Sequence, residues 1–421
     1  MKQYKEYKDS GVKWIGTIPS YWKRMRYKDI FQILDEKVGT IKDLTLLSLT
    51  KKGVIIRDLS EGKGKFPKDF ESYKIVHPNN LILCLFDVDE TPRTVGVSNT
   101  EGMITGAYDI FSVKNALLDY VYYLYLSFDD KKCLKPLYKG LRKVIPLPVL
   151  LSSYIYLPLE QEQQAIVSYL DNKVSKIDKY ISTAEKKIVA LDELKQVTIA
   201  DAVTHGITPN APMKDSEIPW IGMVPKHWKI KTLRAYIQIY SEKNHAEKQL
   251  LSVTREQGVI LRDVDSKEEN HNFIPDDLSG YKLVRRGDFA INKMKSWQGS
   301  YGVSNYEGIV SPAYYVCKLK FENKDFFSKS IRCKAYVPFF NQYSKGIRVD
   351  QWDLSPIALK NISFFEPPIS EQNEIVAYID RKVAQIDKMK AAELAQIDKL
   401  KEYKQRLISD VVTGKVKVTN E

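Results

Sequence analysis

Two stretches of nearly the same sequence decide how this chain folds: EQQAIVSYLDNKVSKIDK at residues 162–179 and EQNEIVAYIDRKVAQIDK at residues 371–388. They are offset by 209 positions, and the match continues without a gap to Thr204 and Thr413. Over those 43 positions, 20 residues are identical. Agreement of that extent indicates a duplication, and a period of about 200 residues is too long for a solenoid repeat.

The regions before the two stretches are duplicated as well, although less closely. The W-I-G motif that begins at Trp14 recurs at Trp220, and the G-V-S-N motif that begins at Gly96 recurs at Gly302. The offsets drift between 204 and 208 because small insertions have accumulated. The sequence therefore predicts two domains that alternate with two long segments. The predicted bounds are 1–157 and 207–366 for the domains, and 158–206 and 367–421 for the segments.

Each long segment has the apolar spacing of a helix that pairs with another helix. Apolar residues recur at alternating intervals of four and three, which is the a/d pattern of a coiled coil, and the second segment follows it less regularly. Pro158 and Pro367 precede the segments and Gly206 and Gly414 follow them, as expected for helix starts and ends. The residues expected to pair the helices are Leu170, Val174, Ile177, Ile181, Ile188, Leu191, Ile379, Val383, Ile386, Ile397 and Leu400.

A helix of about 43–45 residues is about 65 Å long at roughly 1.5 Å per residue. With a single apolar stripe it needs a partner, and the other copy has a matching stripe. We therefore expect two long antiparallel coiled-coil helices that join two globular domains at opposite ends, related by a pseudo-twofold axis. The alternative is a long core helix within one larger domain. Lys390 and Glu393 replace Ile181 and Ala184, so this part of the seam is expected to be hydrated or to face a partner.

The two domains are each predicted to be of the α+β class. Both are rich in tyrosine, in β-branched residues and in turn-forming Gly, Pro, Asn and Asp. Short apolar runs at residues 80–86 and 287–291 predict strands, and residues 117–128 and 325–340 are predicted to form short helices. The sequence does not fix the number of strands.

The composition favours a polyanionic partner. The 421 residues include 65 Lys and Arg against 53 Asp and Glu, which gives a net charge of +12. Neutralising phosphates with such side chains releases counterions and favours binding to nucleic acid. The alternative interpretation is a basic surface that serves only solubility.

Neither the cysteines nor the apolar runs indicate a secreted or membrane protein. Cys84, Cys133, Cys317 and Cys333 form no C-x-x-C pair and fit no zinc spacing, so we expect free thiols in a reducing compartment. The first eight residues are polar and charged, unlike a secretory or lipidation signal. No run reaches the roughly 18 apolar residues of a membrane span. A cytoplasmic location is therefore expected.

No catalytic motif is found in the sequence. It lacks a G-x-x-x-x-G-K-[ST] loop, and the lysine-glycine run at 62–65 does not have that spacing. It also lacks a [DN]-P-P-[FYW] methyltransferase motif, and no D/E-x-K element lies within a plausible distance of Pro275-Asp276. The five histidines form no H-E-x-x-H or other ligand pair. The sequence thus predicts a chain with no catalytic residue and no metal ligand of its own.

Basic, amide and aromatic side chains cluster in the loops of both domains. Lysine and arginine can hold phosphate, while arginine, asparagine and glutamine can read base edges. Taken singly, each is better explained as a solvated surface residue, but Arg57/Arg262 and Arg142/Arg348 recur in both copies. The candidate DNA-binding residues are Lys51, Lys52, Arg57, Arg93, Arg142, Lys143, Arg255, Arg262, Lys293, Lys295, Trp297, Gln298 and Arg348.

Over its whole length the chain resembles the specificity subunits of type I restriction–modification systems. Both segments run from their proline into I-V-x-Y-[LI]-D and then V-x-x-I-D-K, and both halves open with W-I-G-x-[IV]-P-x-x-W. CLFDVDETPRTVGVS from Cys84, NKMKSWQGSYGVS from Asn292 and SPAYYV from Ser311 also look like family loops. The order of target-recognition domain and conserved helix, repeated once, is similar too.

The resemblance implies a non-catalytic subunit that recognises double-stranded DNA. Each globular domain would read one half of a bipartite site, and the helices would set the gap and dock two methyltransferase (modification) subunits. A restriction subunit, which is a motor and nuclease, would join the complex. S-adenosylmethionine, ATP and magnesium would belong to those partners, and this chain would carry no cofactor.

Two other classes of function stay open on the residues alone. One is a tandem adaptor whose long helices only space two protein-binding modules. The other is an RNA-binding protein. A steep salt dependence with a preference for duplex DNA would distinguish the first interpretation from both.

Overall fold

The computed structural model describes residues 2–12, 14–39, 44–57, 70–139, 143–263, 274–346 and 352–418. The chain divides into two compact units. Unit 1 comprises Met1–Ala184 and Leu394–Glu421, and unit 2 comprises Glu185–Glu393. Each unit thus contains one globular domain and part of both long segments, so this division differs from the four segments drawn from the repeat.

Unit 1 is built on a four-stranded antiparallel sheet in the order β4-β11-β8-β9. Four two-stranded pairs surround it: β1-β2, β3-β12, β5-β6 and β7-β10. The strands are β1 (Tyr7–Asp9), β2 (Thr17–Pro19), β3 (Lys23–Arg26), β4 (Phe31–Leu34), β5 (Leu47–Thr50), β6 (Gly53–Ile56), β7 (Lys74–Val76), β8 (Leu81–Leu83), β9 (Val95–Val97), β10 (Gly102–Ile104), β11 (Asp109–Val113) and β12 (Tyr154–Leu157). The helices that begin in this unit are α1 (Tyr27–Ile30), α2 (Leu118–Asp130), α3 (Leu147–Ser152) and α4 (Glu160–His205).

Unit 2 repeats this arrangement strand for strand. Its four-stranded sheet has the order β16-β23-β20-β21, and the pairs are β13-β14, β15-β26, β17-β18 and β19-β22. One additional pair, β24-β25, has no counterpart in unit 1 among the described residues. The strands are β13 (Met213–Asp215), β14 (Met223–Pro225), β15 (Lys229–Thr232), β16 (Ile237–Tyr240), β17 (Leu251–Thr254), β18 (Gly258–Leu261), β19 (Lys282–Val284), β20 (Phe289–Asn292), β21 (Tyr301–Val303), β22 (Gly308–Val310), β23 (Tyr314–Leu319), β24 (Ser344–Lys345), β25 (Asp353–Leu354) and β26 (Ser363–Glu366). The helices are α5 (Lys324–Arg332), α6 (Val337–Tyr343), α7 (Pro356–Asn361) and α8 (Ile369–Val412).

The predicted strands and helices of the domains are present, with one difference. The apolar runs at 80–86 and 287–291 contain β8 and β20, and residues 117–128 lie almost entirely in α2. Residues 325–340, however, form α5, a short 3₁₀ turn and α6. The break falls at Cys333, whose backbone is extended, and Pro338 lies in the first turn of α6, where its missing N–H costs no hydrogen bond.

In both units a helix covers the sheet at the same place. In unit 1, α2 packs against β9, and in unit 2, α5 packs against β21. The core of unit 2 is mainly aromatic, with Phe289, Phe326, Phe327 and Phe364 all fully buried. Aromatic rings of this size contribute much of the apolar area that a small domain removes from water.

The two long helices, α4 and α8, confirm the predicted fold class. They have 46 and 44 residues, about 69 and 66 Å at roughly 1.5 Å per residue. All eleven residues predicted to pair the helices are buried or half-buried. In α8 the a/d positions keep their regular spacing, and polar residues occupy those that have no apolar residue. Its buried or half-buried seam positions are Ile375, Ile379, Val383, Ile386, Lys390, Glu393, Ile397, Leu400, Lys404 and Leu407.

Ion pairs join α4 to α8 in both units, and in unit 2 their order shows that the helices run antiparallel, since Lys187, Asp192 and Lys195 pair with Glu393, Lys390 and Asp387. In unit 2, Lys195 of α4 contacts Asp387 of α8 at 2.8 Å. In unit 1, Asp178 of α4 contacts Lys404 of α8 at 2.6 Å. These pairs are equivalent under the 209-residue offset, with the two helices exchanged.

The polar interruption of the seam is explained by ion pairs within unit 2. Lys390 binds Asp192 at 2.7 Å, and Glu393 accepts a hydrogen bond from Lys187. The seam is therefore closed here by opposite charges on α4. Polar residues at single seam positions often fix the register and partner of a coiled coil at some cost in stability.

The long helices begin and end near the proline and glycine residues that the sequence indicated. Gly206 follows the last residue of α4 with φ +77°, and Gly414 lies two residues after α8 with φ +73°. Both stand in the left-handed region, which glycine adopts without a steric penalty and which commonly ends helices. At the other end, Pro158 lies two residues before α4, and Pro367 lies two residues before α8.

Disulfides, membrane-spanning helices and metal-binding clusters are all absent from the residues that the structure describes. None of the four cysteines is in a disulfide, and Cys84, Cys317 and Cys333 are buried. No described helix is long and apolar enough to cross a membrane. No cluster of three or more His, Cys, Asp or Glu side chains that could hold a metal ion is found in the same part of the chain.

Two equivalent glycines mark where strands approach too closely for a side chain. A Cβ on Gly102 of β10 would lie 2.4 Å from the carbonyl oxygen of Thr45, and one on Gly308 of β22 would lie 2.4 Å from that of Gln249. We expect Gly102→Ala and Gly308→Ala each to lower the free energy of unfolding by about 1–3 kcal/mol, because the backbone must move. Urea unfolding measures this effect.

The control for these glycine substitutions is Gly280→Ala in unit 2. The nearest heavy atom to its added Cβ is the Cγ of Pro312, at 4.0 Å. We expect a change within about 0.5 kcal/mol for this variant. Equal effects of all three substitutions would contradict the close approach.

Candidate nucleic-acid interface

The first candidate element is turn A, residues 50–53, which joins β5 to β6 in unit 1. The Thr50 hydroxyl donates to the carbonyl of Gly53 at 3.1 Å and accepts from the N–H of Lys52 at 3.1 Å. Gly53 closes the turn with φ +94°. Lys51 and Lys52 are both exposed, so the turn presents two ammonium groups on a hydrogen-bonded frame.

Turn B, residues 254–258, is its equivalent between β17 and β18 in unit 2. The Thr254 hydroxyl donates to the carbonyl of Gly258 at 3.2 Å and accepts from the N–H of Gln257 at 3.1 Å. Arg255 is exposed and lies beside Glu256 at 3.5 Å. The two units therefore carry cations at the same place in the fold, with different residues and a different turn length.

The second candidate element of unit 2 is loop B, residues 293–300, between β20 and β21. Its backbone is fixed by hydrogen bonds such as Gly299 N–H to Ser296 O at 2.9 Å. The Trp297 ring lies 5.3 Å from the Trp352 ring, and Lys293 contacts Asp353 at 3.2 Å. Lys295 is exposed, and Trp297 and Gln298 are half-buried. This loop combines a cation, a ring and an amide, which can contact phosphate, stack on bases or read base edges.

Loop A, residues 84–94 between β8 and β9, is the counterpart in unit 1, and its charge is different. Asp87 and Glu90 are exposed carboxylates, and Glu90 accepts a hydrogen bond from Lys143. Asp89 accepts hydrogen bonds from Lys135 and Tyr138, which lower its pKa to about 2. Carboxylates can accept hydrogen bonds from the amino group of cytosine, whereas loop B offers mainly donors. The two loops are therefore chemically unlike at equivalent positions.

Arg93 has a different environment from the other candidates. Its guanidinium contacts Asp129 at 2.9 Å and Asp130 at 3.0 Å, and its side chain is only 17% exposed. Burial raises the pKa of Asp130, against the effect of Arg93. The arginine that the sequence suggested as a DNA contact is thus engaged inside unit 1.

The remaining candidates divide into two groups. Arg57 and Arg262 are half-buried and make interactions within the protein. Arg142 and Arg348 lie outside the described residues. In unit 2, Arg255 and Gln298 line one cleft of about 820 Å³, so turn B and loop B meet there.

Sequence reasoning missed the residues that hold these elements in place. Arg332 of α5 contacts both turn B and loop B, and Asp129 of α2 contacts loop A. Arg332 binds backbone atoms, whose positions no sequence pattern reveals. Asp129 belongs to an Asp-Asp pair at a helix end, and the sequence alone predicts that such a pair is exposed to solvent.

Comparison with known proteins supports the fold but provides no close relative. No family model and no curated protein matches this chain. One solved structure that matches comes from a study of complex assembly and conformational transition of the type I R-M system. It covers 94% of this chain and 98% of its own, with TM-score 0.64 and 14% identity.

A second match is the crystal structure of the HsdS subunit from Thermoanaerobacter tengcongensis. It covers 95% of this chain and 98% of its own, with TM-score 0.51 and 14% identity. The chain therefore has an HsdS-like fold: two α+β domains and two long helices, arranged as an internal repeat. More particularly, its fold is similar over nearly its whole length to that HsdS subunit and to the chain from the type I R-M system, as the sequence resemblance predicted.

Proposed function

We propose that this chain is the DNA-specificity subunit of a type I restriction–modification complex. The observation that carries the proposal is that an HsdS-like fold presents cationic turns, Lys51-Lys52 and Arg255, at equivalent places in its two units. Each unit then reads one half of a bipartite duplex site. Turns A and B supply phosphate contacts, and loops A and B supply base contacts.

In this proposal the two halves of the site differ in sequence. Loop A presents Asp87 and Glu90, while loop B presents Lys295, Trp297 and Gln298. Acceptors and donors favour different base edges in the major groove. A non-palindromic site follows, because one polypeptide carries two unlike readers.

The long helices would set the gap between the half-sites and dock the partner subunits. Their length of about 65–70 Å is close to two turns of B-DNA at roughly 34 Å each. On α4 of unit 2, Leu194 and Val197 are 51% and 63% exposed. Exposed apolar groups on a paired helix support docking of another protein there.

The proposed partners are two methyltransferase subunits and the restriction subunit, which is a motor and nuclease. S-adenosylmethionine, ATP and magnesium would be bound by them, and the target adenine would be flipped by the methyltransferase. The chain itself would act as a non-catalytic subunit. This division of labour fits a sequence that contains no recognisable catalytic motif.

Competition binding with the purified chain tests the proposal. We expect labelled duplex DNA to be displaced by duplex DNA much better than by RNA of the same length. The logarithm of the binding constant should fall linearly with the logarithm of salt concentration, by roughly 0.9 per phosphate contacted. Preference for RNA would support an RNA-binding protein instead, and no salt-dependent nucleic-acid binding would support an adaptor.

A further inference from the structure

We propose that Arg93 in unit 1 and Arg332 in unit 2 are positioning residues. Each is a clamp that holds the recognition loop of its unit, loop A or loop B, to the adjacent helix, α2 or α5. The inference rests on the proposed function, because it assigns the loops the role of reading bases. It concerns how the loops are held, and it follows from contacts that are independent of any DNA.

The clamp in unit 2 is centred on the guanidinium of Arg332, at the end of α5. It donates to three carbonyls of turn B: Thr254 at 3.4 Å, Arg255 at 3.0 Å and Glu256 at 2.8 Å. It also donates to the carbonyl of Gly299 in loop B at 3.2 Å and to that of Tyr301, the first residue of β21, at 2.8 Å. One side chain therefore ties both recognition elements of unit 2 to one helix.

The five acceptors of Arg332 are all backbone oxygens, and this has a consequence for specificity. Burial lowers the pKa of Arg332, so its charge is held in a partly desolvated place by carbonyl dipoles. Backbone acceptors keep their positions when side chains change. Arg255, Trp297 and Gln298 can consequently be replaced without removing the clamp, which suits loops whose sequence determines the bases recognised.

Unit 1 has the same connection with donor and acceptor exchanged. Arg93 belongs to loop A itself and donates to Asp129 and Asp130 at the end of α2. Thr94 adds two bonds to Asp129, from its backbone N–H at 3.2 Å and from its hydroxyl at 2.7 Å. Lys132 approaches the same carboxylate at 2.8 Å. The Asp129 side chain is 2% exposed, and these four donors offset the cost of burying its charge.

The two arginines are not equivalent residues in the repeat. With the 206-residue offset that relates Gly96 to Gly302, Arg93 corresponds to Gly299, and Arg332 corresponds to Leu126. Both units nevertheless join the end of the recognition loop to the helix that covers β9 or β21. The same connection, made with different residues in a duplicated fold, indicates that it serves the loop and is not merely inherited.

A clamp of this kind should affect discrimination more than total affinity. Base readout depends on donor and acceptor positions, whereas phosphate contacts tolerate movement of the loop. A bidentate base contact contributes roughly tenfold to a hundredfold discrimination against the wrong base. Loosening loop B should therefore lower the ratio of specific to non-specific binding about tenfold or more at its own half-site.

The test uses the full chain with Arg332→Met and, separately, Arg93→Met. The matched control is Arg285→Met, which removes one arginine that binds Glu242 through two bonds of 2.8 Å in unit 2. Hydrogen–deuterium exchange is measured in loops A and B and in turn B. Binding is measured to duplexes selected by the wild-type chain from a random pool, and to versions with either half scrambled.

We expect Arg332→Met to speed exchange in turn B and loop B and to lower discrimination at one half-site only. Arg93→Met should do the same for loop A and the other half-site, and Arg285→Met should do neither. Arg332→Lys, which keeps the charge with fewer donors, should fall between wild type and Arg332→Met. It also provides a measurable variant if the methionine substitution prevents folding.

The outcomes separate the clamp from the proposed function. Unchanged exchange in the loops of both variants, or equal loss of discrimination in the Arg285→Met control, would overturn the clamp. A wild-type chain that selects no duplex would overturn the proposed function, while the exchange data would still show whether each arginine holds its loop. Faster exchange with unchanged discrimination would also overturn the inference, because the loops would then not need to be held.

Discussion

A variant that lacks residues 188–194 of α4 and 388–394 of α8 is expected to prefer a DNA site whose gap is about three base pairs shorter. The two deleted heptads face each other, since Lys195 pairs with Asp387 and Lys187 with Glu393. Each removes about 10 Å of helix at roughly 1.5 Å per residue, and B-DNA rises about 34 Å per 10–10.5 base pairs. Selection from a random duplex pool measures the preferred gap.

The seam survives this deletion, so the variant should fold. Ala184 is then followed after four positions by Lys195, and Ile386 after four positions by Ile397, which preserves the a/d spacing. The deletion also removes Asp192, Lys390 and Glu393 and their ion pairs. The control is therefore a full-length chain with alanine at Lys187, Asp192, Lys390 and Glu393, for which the gap should not change. An unchanged gap in the deletion variant would reject the helices as the element that sets the spacing.

The second large effect is expected from reversing the charge of turn A. Lys51→Glu together with Lys52→Glu places two carboxylates where the proposal has two phosphate contacts. We expect affinity for a duplex that retains only the half-site of unit 1 to fall on the order of a hundredfold at low salt, with a shallower salt dependence. A duplex that retains only the other half-site should bind as before. Anisotropy titrations against both duplexes measure the two effects.

Matched variants distinguish a local contact from a change in net charge. Lys176→Glu with Lys179→Glu makes the same change of charge at exposed positions of unit 1, but on the helix α4 instead of turn A. Its effect should be small and equal on both half-sites. Arg255→Glu in turn B should weaken the half-site that the turn A variant leaves unchanged. If the turn A variant weakened both half-sites equally, separate readout by the two units would be wrong.

The long helices could be predicted because their determinants are local and repeated. The four-three spacing from Leu170 to Leu191 needs only the sequence to be recognised, and the flanking proline and glycine residues bound each helix within a few positions. The polar seam positions Lys390 and Glu393 were visible as exceptions. Their partners Asp192 and Lys187 were not, because those residues look like ordinary solvated charges until the helices are paired.

The candidate interface was predictable only in part. Lys51, Lys52 and Arg255 were predicted as cations in loops, and they are exposed in turns A and B. The role of Arg93 could not be inferred, because its partner Asp129 comes from a helix 36 residues away in sequence. The break at Cys333 was missed for a different reason: Pro338 indicates that no single helix runs through residues 325–340, and this signal was overlooked.

The most direct test of the central claim is a genome-wide map of methylated adenines in a host that carries this chain with its proposed methyltransferase subunits. Two unlike DNA readers on one polypeptide predict methylation at one bipartite sequence, with two different halves and a fixed gap. The control is the same host with the methyltransferase alone. A single uninterrupted motif, or no methylation beyond that control, would contradict the account.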